Sequence, residues 1–335
     1  MPTALVSSNR KLFESFFAPA HQERLSRIAS WSRLGVRTVD RRMRQKLQQA
    51  EALITTWDSP PFFPEELIEW APRLRVIAHC GGSVKTRFAR PLFERLVIAN
   101  AAAPMARHVA ELAVTFLLYY ARDIDRYREL LRLPRNDIYR QLHLSGGDWQ
   151  SILGQEVGLI GFGRIGRAIV ELLAPFGVRF RVYDPYVPAG ALGPYPIEAD
   201  SLEGVLARSR YLILAAALSE ETQGMLNRQR LALMPRGAVL INVARGGLVD
   251  LDALTQAVQK GRLRCALDVT DPLEPLPERH PLRRARGAIL TPHVGSISRA
   301  VRHEMTAIVL ADLERFFSGK AVENRVTAEM LDRMT

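Results

Sequence analysis

Arg245, Glu274 and His293 are the side chains of this sequence whose types suit chemistry on a small organic acid. Arginine can bind a substrate carboxylate through two parallel hydrogen bonds. Histidine exchanges protons near neutral pH, so it can take the proton of a hydroxyl group while a hydride leaves the carbon. A carboxylate next to the histidine would orient its ring and pair with its protonated form. Together the three side chains favour hydride transfer at the hydroxyl carbon of a 2-hydroxy acid.

Each of these side chains follows a short apolar run that is typical of a buried strand. The runs and the polar residues that follow them are Ala238–Ile241 with Arg245, Arg264–Leu267 with Asp268, Asp271 and Glu274, and Ala288–Leu290 with His293. Ligands of an open α/β sheet bind beyond the carboxyl ends of its strands. We therefore expect an arginine, a carboxylate and a histidine to converge on one rim of a sheet.

A glycine-rich turn lies earlier in the chain, in the segment Gly161–Gly166, which reads GFGRIG. It has the G-x-G-x-x-G form, follows a strand-like run and leads into a helical pattern. Gly161 would permit the tight turn, Gly163 the approach of a pyrophosphate to the backbone, and Gly166 the close packing of helix on strand. The free N–H groups of the helix N-terminus would bind the phosphates. The turn therefore predicts a dinucleotide site on the same rim.

Asp184 ends the next strand-like run and lies 18 residues beyond Gly166, close to the position of a ribose ligand. A carboxylate at this position accepts hydrogen bonds from the ribose hydroxyls and repels the additional phosphate of NADP. Arg181 is near, but it lies within the strand. The sequence therefore predicts NAD as the cofactor.

Two alternating patterns of strands and helices must position these groups. The first covers about residues 1 to 100, and the second starts near Gln155 and carries the residues described above. Between them one long helix is predicted from Ala106 to about Leu131, and a last helix is predicted over Ser298–Phe317. The other strand-like runs are Ala4–Ser7, Ala52–Thr56, Arg75–His79, Val97–Asn100, Val157–Gly161, Arg179–Tyr183 and Tyr211–Ala215.

The composition is that of a globular protein, with 47% hydrophobic and 24% charged residues. The most apolar run, Val109–Tyr120, is too short to span a membrane, and no signal peptide is expected. Two distant cysteines, Cys80 and Cys265, favour a reduced, cytoplasmic setting and no metal site. The net charge of +11 comes from scattered arginines without a nucleic-acid motif. We expect a solvated basic surface that attracts an anionic substrate rather than nucleic-acid binding.

Several motifs together resemble the D-isomer-specific 2-hydroxyacid dehydrogenase family. The matching segments are Val157–Arg167, Leu233–Asp250, Ala266–Pro277 and Leu290–Gly295, with weaker matches at Cys80–Val84, Val109–Glu111 and Gly319–Val326. The resemblance covers most of the chain. It implies an α/β fold of two doubly wound parallel-sheet domains with the active site in a cleft between them. A flavodoxin-like substrate domain would comprise residues 1–104 and 300–335, and a Rossmann NAD-binding domain residues 105–299.

The resemblance also implies roles for the residues of the active site. Arg245 would bind the substrate carboxylate and polarise the carbonyl, His293 would act as general acid and base, and Glu274 would be its partner. The backbone around Gly81, Gly82 and Ser83 would hold the substrate carboxylate from the other domain. Family members usually form homodimers through the cofactor domain, which here would involve the helix near Ala110 and the segment after it.

On the cofactor side, the resemblance assigns contacts to the glycine turn and to three residues beyond it. Arg164 and Ile165 would meet the pyrophosphate, and Asp184 the ribose. Ala244 and Asp268 would lie near the nicotinamide.

The sequence departs from the family pattern before Glu274, because Leu273 stands between Pro272 and Glu274. The Glu-Pro pair is retained, so Glu274 is preferred as the partner of His293, with Asp271 as the alternative. Lys85 and Arg87 follow the Gly81–Ser83 segment where many members are acidic or neutral. They would favour a substrate with extra negative charge.

The resulting expectation is a transfer of hydride between NAD(H) and a small 2-oxo or 2-hydroxy acid, with the D-isomer implied by the family. The alternative is a dinucleotide-sensing binding protein, similar to the corepressors that retain this fold. Those corepressors also keep such catalytic residues, so a turnover assay is needed to separate the two hypotheses. Formate dehydrogenases share the fold but carry glutamine at the acid position, so Glu274 argues against them.

Overall fold

The computed structural model describes residues 1–132, 138–145, 151–188 and 193–333. The chain divides into two compact units. The first consists of Met1–His108 and Ser296–Thr335 and is therefore discontinuous in sequence, and the second is Val109–Gly295. The boundaries predicted from the sequence lie after residues 104 and 299.

Six strands form the sheet of the first unit. They are β1 (Thr3–Ser7), β2 (Ser30–Leu34), β3 (Ala52–Thr55), β4 (Val76–His79), β5 (Val97–Asn100) and β13 (Arg325–Val326). Their order is β13-β5-β4-β3-β1-β2, and only β13 pairs with its neighbour in the antiparallel sense. The five parallel strands thus have the flavodoxin-like order of a doubly wound sheet.

Seven parallel strands form the sheet of the second unit. They are β6 (Glu156–Ile160), β7 (Arg179–Tyr183), β8 (Ile197–Ala199), β9 (Tyr211–Leu214), β10 (Val239–Asn242), β11 (Arg264–Leu267) and β12 (Ala288–Leu290). Their order is β12-β11-β10-β9-β6-β7-β8, in which the chain reverses direction across the sheet at β6 and β9. This is the Rossmann order, so the predicted fold class is confirmed.

The helices lie between these strands in the chain. They are α1 (Arg10–Phe16), α2 (Pro19–Ile28), α3 (Arg41–Leu47), α4 (Leu67–Trp70), α5 (Leu92–Arg95), α6 (Ala102–Ala121), α7 (Ile124–Leu130), α8 (Ile138–Ser145), α9 (Arg164–Leu173), α10 (Leu202–Arg208), α11 (Arg228–Leu233), α12 (Leu251–Gln259) and α13 (Arg299–Phe317). Within the described ranges, no helix combines the length and the apolar character that a membrane span requires.

Local sequence explains why these elements form where they do. All four residues of β3, β4, β9 and β10 are buried, as expected for central strands with helices on both faces. Several helices begin at a side chain that accepts a hydrogen bond from the first turn. Asp250 accepts from the N–H of Ala253 at α12, and Ser298 from that of Val301 at α13.

The structure differs from the sequence prediction in the helix expected over Ala106–Leu131. The chain forms α6 and α7 instead, and Asp123 between them has a positive φ of 49°. The edge strands β2, β8 and β13 were not predicted. β2 is mostly exposed or half-buried, so it lacks the continuous apolar run by which the central strands are recognised.

Candidate active site

The glycine turn follows β6, and its geometry explains why its residues are glycines. Gly161 has a φ of +94°, in the left-handed region, and a Cβ there would lie 2.5 Å from the backbone nitrogen of Ala216. A Cβ on Gly166 would lie 2.3 Å from the carbonyl oxygen of Gly161, so α9 packs directly on the turn. A Cβ on Gly163 would meet no atom of the described residues within 4 Å. The turn thus leaves space at the N-terminus of α9, where a pyrophosphate fits.

Asp184 follows β7, and its carboxylate is bound to the glycine turn. Its Oδ2 accepts a hydrogen bond from the N–H of Phe162 at 2.7 Å, and its Oδ1 accepts one from Tyr186 at 2.9 Å. Each oxygen keeps a further lone pair, so this half-buried carboxylate can also accept hydrogen bonds from ribose hydroxyls. Arg164 and Ile165 begin α9, the first exposed and the second half-buried. The residues present therefore fit a dinucleotide with free ribose hydroxyls.

Arg181 lies within β7, and its charge is compensated inside the unit. Its side chain is 7% exposed and forms ion pairs with Glu156, Glu198 and Asp200, at 2.8, 2.7 and 3.0 Å. The hydrogen bond with Glu156 is the main cause that raises the pKa of Arg181. Because this arginine already binds three carboxylates, it is not available for a phosphate on the ribose. The arrangement favours NAD over NADP.

Arg245 lies in the loop after β10, and Asn242 holds that loop in place. The buried amide of Asn242 donates to the carbonyl oxygen of Arg245 at 2.9 Å and accepts from the N–H of Ala244 at 3.0 Å. The guanidinium donates from Nη1 to the carbonyl oxygen of Ala244 at 2.7 Å. Burial lowers the pKa of Arg245, and the charge of Glu274 acts in the opposite direction. A partly desolvated guanidinium of this kind attracts an anion more strongly than an exposed one does.

Asp268 was assigned to the nicotinamide by resemblance, and the structure shows what it binds within the chain. Its side chain is buried and accepts hydrogen bonds from Oγ1 of Thr291 and from the N–H groups of Val294 and Gly295, at 2.5, 2.8 and 3.0 Å. Its carbonyl oxygen accepts from the N–H of His293 at 2.8 Å. These bonds hold the loop in which His293 has a φ of +56°, an uncommon conformation for a side-chain-bearing residue. Asp268 therefore positions His293 through the backbone.

His293 and Glu274 form a hydrogen-bonded pair. Nδ1 of His293 lies 2.9 Å from Oε2 of Glu274, and the two side chains are 47% and 35% exposed. The other carboxylate oxygen of Glu274 accepts from the N–H of Thr270 at 3.2 Å, which fixes its orientation. Of the two carboxylates that the sequence offered, the structure brings Glu274 rather than Asp271 to the imidazole. The pairing leaves Nε2 as the ring nitrogen that can exchange a proton with a ligand.

Gly246 lies where the loop that carries Arg245 packs against the loop that carries Glu274. A Cβ on Gly246 would lie 2.2 Å from the carbonyl carbon of Thr270 and 2.4 Å from the nitrogen of Asp271. The loops after β10 and β11 are therefore in backbone contact at this point. The register of the sheet contributes as well, because Asn242 pairs with the last residue of β11, and that residue pairs with the last residue of β12. The three strands end at one level, which brings their loops together.

The segment predicted to bind the substrate carboxylate lies in the first unit, after β4. The carbonyl oxygen of Gly81 accepts from the N–H of Ala101 at 3.0 Å, and that of Gly82 accepts from the side chain of Asn100. Oγ of Ser83 accepts from the N–H of Lys85 at 3.4 Å. Gly81 and Gly82 are thus held by the adjoining end of β5, and Ser83 is bonded within its own segment.

Sequence reasoning did not identify the residues that position the site. Asn242, Thr291 and the positioning role of Asp268 became visible only with the tertiary contacts. The signal available in the sequence was a polar residue at the end of an apolar run, as at Asn242 and Asp268.

Among the described residues, no group of three or more histidines, cysteines and carboxylates is arranged to hold a metal ion.

Comparison with known proteins assigns the family. Residues 114–295 match the model of the D-isomer specific 2-hydroxyacid dehydrogenase NAD binding domain, which covers more than half of the chain. This protein belongs to the D-isomer specific 2-hydroxyacid dehydrogenase family, as its motifs predicted, and its second unit contains the NAD-binding domain. The prediction of NAD as cofactor is confirmed by the same match.

The individual relatives differ in name and length. The chain is 30% identical over 293 residues to glyoxylate reductase of Thermococcus kodakarensis, covering 86% of each protein. The match to D-3-phosphoglycerate dehydrogenase of Methanocaldococcus jannaschii has 28% identity over 313 residues. It covers 92% of this chain but only 58% of that enzyme. The structure of D-mandelate dehydrogenase from Rhodotorula graminis shares the fold, with a TM-score of 0.80, 23% identity and 97% coverage of both chains.

Proposed function

We propose that this protein transfers a hydride between NAD(H) and a small 2-oxo acid, whose reduced form is the D-isomer of the 2-hydroxy acid. The observation that carries the proposal is the hydrogen bond between His293 and Glu274. The charge of the same Glu274 also acts on the guanidinium of Arg245 and raises its pKa. The proposal assigns the first unit to the substrate and the second to NAD. It is preferred over a dinucleotide sensor because the named relatives are reductases and dehydrogenases.

The residues would act as follows. When bound, NAD would supply the hydride chemistry; Gly161–Gly166 would hold its pyrophosphate and Asp184 its ribose, and Ala244 and Asp268 would lie near its nicotinamide. Arg245 binds the carboxylate of the substrate and polarises the carbonyl group that is reduced. Nε2 of His293 donates a proton to the carbonyl oxygen during reduction and takes it back during oxidation.

Glu274 keeps Nδ1 of His293 occupied, so the proton exchange occurs at Nε2. It also compensates the positive charge of the imidazolium after Nε2 has taken a proton. We assign Gly81, Gly82 and Ser83 to the substrate carboxylate, because their backbone follows the carboxyl end of a parallel strand, where ligands of such sheets bind.

The test of this function is a panel of 2-oxo acids mixed with NADH, with the loss of NADH absorbance as readout. We expect reduction of at least one acid, and a roughly hundredfold or larger loss of kcat in His293→Gln with NADH binding retained. Arg245→Gln should raise KM, whereas Arg236→Gln removes an exposed arginine of the same unit and serves as the matched control. NADH binding without reduction of any acid would favour the dinucleotide sensor.

We also propose that the enzyme is a cytoplasmic homodimer. The family resemblance supports the dimer, and two unpaired, buried cysteines support a reducing compartment. The segment after α6 that was predicted to take part in the dimer contact includes residues 133–137 and 146–150, which lie outside the described residues. Light scattering should give about twice the chain mass of 37.6 kDa. A mass equal to that of one chain would contradict the dimer.

A further inference from the structure

A cavity of about 380 Å³ lies in the second unit, where β11 and β12 begin. Its walls are the end of α6, much of α7 and the segment that leads into β12. The catalytic loops follow the other ends of these strands, because Asp268 comes directly after β11 and His293 shortly after β12. The cavity is therefore separate from the candidate active site, at the opposite edge of the same sheet.

The lining of this cavity is positively charged. Six arginines and three carboxylates line it, which gives a formal net charge of +3. A hollow whose walls carry an excess of one charge concentrates the electrostatic potential and attracts ions of the opposite sign. The volume falls within the range of about 300–1,000 Å³ in which small-molecule sites lie. The six arginines are Arg126, Arg128, Arg264, Arg283, Arg284 and Arg286.

Two of the three carboxylates are bound closely by the walls themselves. Asp123 lies 3.2 Å from Nη1 of Arg264. Asp125 accepts a hydrogen bond from the hydroxyl group of Tyr119 at 2.7 Å and lies 3.6 Å from Nη2 of Arg128. These carboxylates are therefore already engaged, and they compensate only part of the arginine charge.

The segment that leads into β12 carries the arginines that are least compensated. Nε of Arg286 lies 3.8 Å from Glu129, and the side chain of Arg286 is 89% exposed. Nη1 of Arg283 donates to the carbonyl oxygen of Leu276 at 3.0 Å, which is a neutral partner. In the described part of the chain, the guanidinium of Arg284 forms no hydrogen bond or ion pair. Donors therefore remain available on this wall of the cavity.

The base of the cavity is fixed by Tyr120, which is buried. Its hydroxyl group contacts the carbonyl oxygens of Cys265 and Gly287 at 2.7 and 3.0 Å, which ties α6 to the beginnings of β11 and β12. The guanidinium of Arg264 lies 5.1 Å from the centre of the Tyr120 ring and is also held by Asp123. This arginine is in place before a ligand arrives, so little conformational freedom is lost when one binds.

The charge and the donor type indicate which anion fits. A phosphate group carries about −1.5 to −2 charges at neutral pH and three acceptor oxygens, more than a carboxylate does. Guanidinium groups match the geometry of phosphate through parallel hydrogen bonds. Two phosphate groups would therefore compensate the net charge of +3 on the lining.

We propose that this cavity is a binding site for a small molecule with two phosphate groups, distinct from the NAD site and from the site of the substrate acid. Arg283 and Arg284 bind its oxygens from the segment before β12, and Arg128 binds them from α7. The inference does not depend on the proposed function, because no residue of the cavity takes part in hydride transfer.

The first test titrates inorganic pyrophosphate calorimetrically in the presence of saturating NADH, which occupies the glycine turn. We expect one site per chain, with an affinity that falls as NaCl is added, because salt screens the attraction. Arg284→Gln should raise the Kd roughly three- to tenfold through the loss of a charged hydrogen bond. Arg236→Gln removes an exposed arginine elsewhere in the unit and should leave the Kd unchanged. Arg245→Gln, in the candidate active site, should leave it unchanged as well.

The second test changes the charge of the lining in the opposite direction. Glu129→Gln removes a carboxylate while keeping the shape of the side chain, so the Kd for pyrophosphate should fall roughly threefold. Arg284 and Glu129 are both exposed, so neither variant should alter folding. Thermal unfolding without pyrophosphate checks this point, and the opposite effects of the two variants identify a charge effect rather than a change of structure.

Three outcomes would overturn the proposal. Absence of binding, or binding that disappears when NADH is present, would leave the cavity without a ligand and assign any pyrophosphate to the glycine turn. Equal affinities in the wild type, Arg284→Gln and Glu129→Gln would show attraction to the basic surface in general, an adventitious ion only. Citrate is the second probe and separates carboxylates from phosphates. Tighter binding of citrate than of pyrophosphate would overturn the assignment to a phosphate compound, whereas weaker binding would support it.

Discussion

At the scale of single residues, the candidate site depends on side chains that hold other side chains. His293 is fixed twice, at the backbone by Asp268 and at the ring by Glu274. Arg245 is fixed by the buried amide of Asn242. A proton-transferring group must keep its geometry between the free and the bound state, so these supports matter as much as the groups they hold.

The choice between Glu274 and Asp271 can be tested directly. Glu274→Gln keeps a hydrogen-bonding side chain but removes the charge that compensates the imidazolium. We expect kcat to fall roughly tenfold or more, because the general acid and base loses its partner. The matched variant is Asp271→Asn, which removes a charge from the same loop and should change kcat much less. Steady-state kinetics across pH 6 to 9 would measure both, and a larger effect in Asp271→Asn would reverse the assignment.

At the scale of elements, the glycine turn and the sheet register place the site. Gly161 turns the chain at the end of β6, and Gly166 lets α9 pack on that turn. The strands β10, β11 and β12 end at one level, and Gly246 keeps the loops that follow the first two in backbone contact. The site thus follows from strand ends and tight loop packing rather than from a single continuous motif.

Two glycines of the turn should respond differently to alanine. Gly166→Ala places a Cβ against the carbonyl oxygen of Gly161, so we expect the second unit to lose about 1–3 kcal/mol of stability. Gly163 has an extended backbone and open space beside it, so Gly163→Ala should leave the Tm nearly unchanged. It should nevertheless weaken NADH binding roughly tenfold, because the methyl group occupies the space of the pyrophosphate. Thermal unfolding and NADH fluorescence titration measure the two effects, and wild-type NADH affinity in Gly163→Ala would contradict the assigned role.

At the scale of the whole molecule, each unit buries groups that must remain uncharged. His79 of the first unit has a pKa lowered to about 3, chiefly by burial. Cys80 of the first unit and Cys265 of the second have pKa values raised to about 12 by burial. These groups are neutral in the folded chain over a wide pH range and ionise more easily once the chain unfolds.

These shifts predict a maximum of stability between about pH 6.5 and 9. Below pH 6.5 the unfolded chain protonates His79 while the folded chain does not, so stability falls as the pH decreases toward 3. Above pH 9 the unfolded chain deprotonates both cysteines while the folded chain does not, so stability falls as the pH rises toward 12. Each group contributes about 1.4 kcal/mol per pH unit within its range. Urea unfolding at pH 5, 7.5 and 10.5 measures the curve.

The control for the alkaline side is the variant with both Cys80→Ala and Cys265→Ala. Its stability should decrease less between pH 7.5 and 10.5 than that of the wild type. An equal decrease in the two proteins would show that other groups cause the alkaline loss.

The sequence alone was sufficient for the features that depend on local pattern. The glycine turn, the central strands and the carboxylate at Asp184 were recognisable because their residue types and spacings are set by neighbours along the chain. The edge strand β2 and the break between α6 and α7 were not recognisable from the sequence. The residues of β2 do not form a distinctive apolar run, and the break does not interrupt the apolar pattern in a distinctive way. The family followed from several such local patterns occurring together.

Only the tertiary structure decided which distant residues meet. The sequence favoured Glu274 as the neighbour of His293 but left Asp271 as an alternative, and the folding of the loop after β11 brings Glu274 to the ring. The same holds for Asp123 and Arg264, which are far apart in the chain and form an ion pair. Such contacts depend on how strands and loops pack in three dimensions, and the spacing of residues along a chain does not specify that packing.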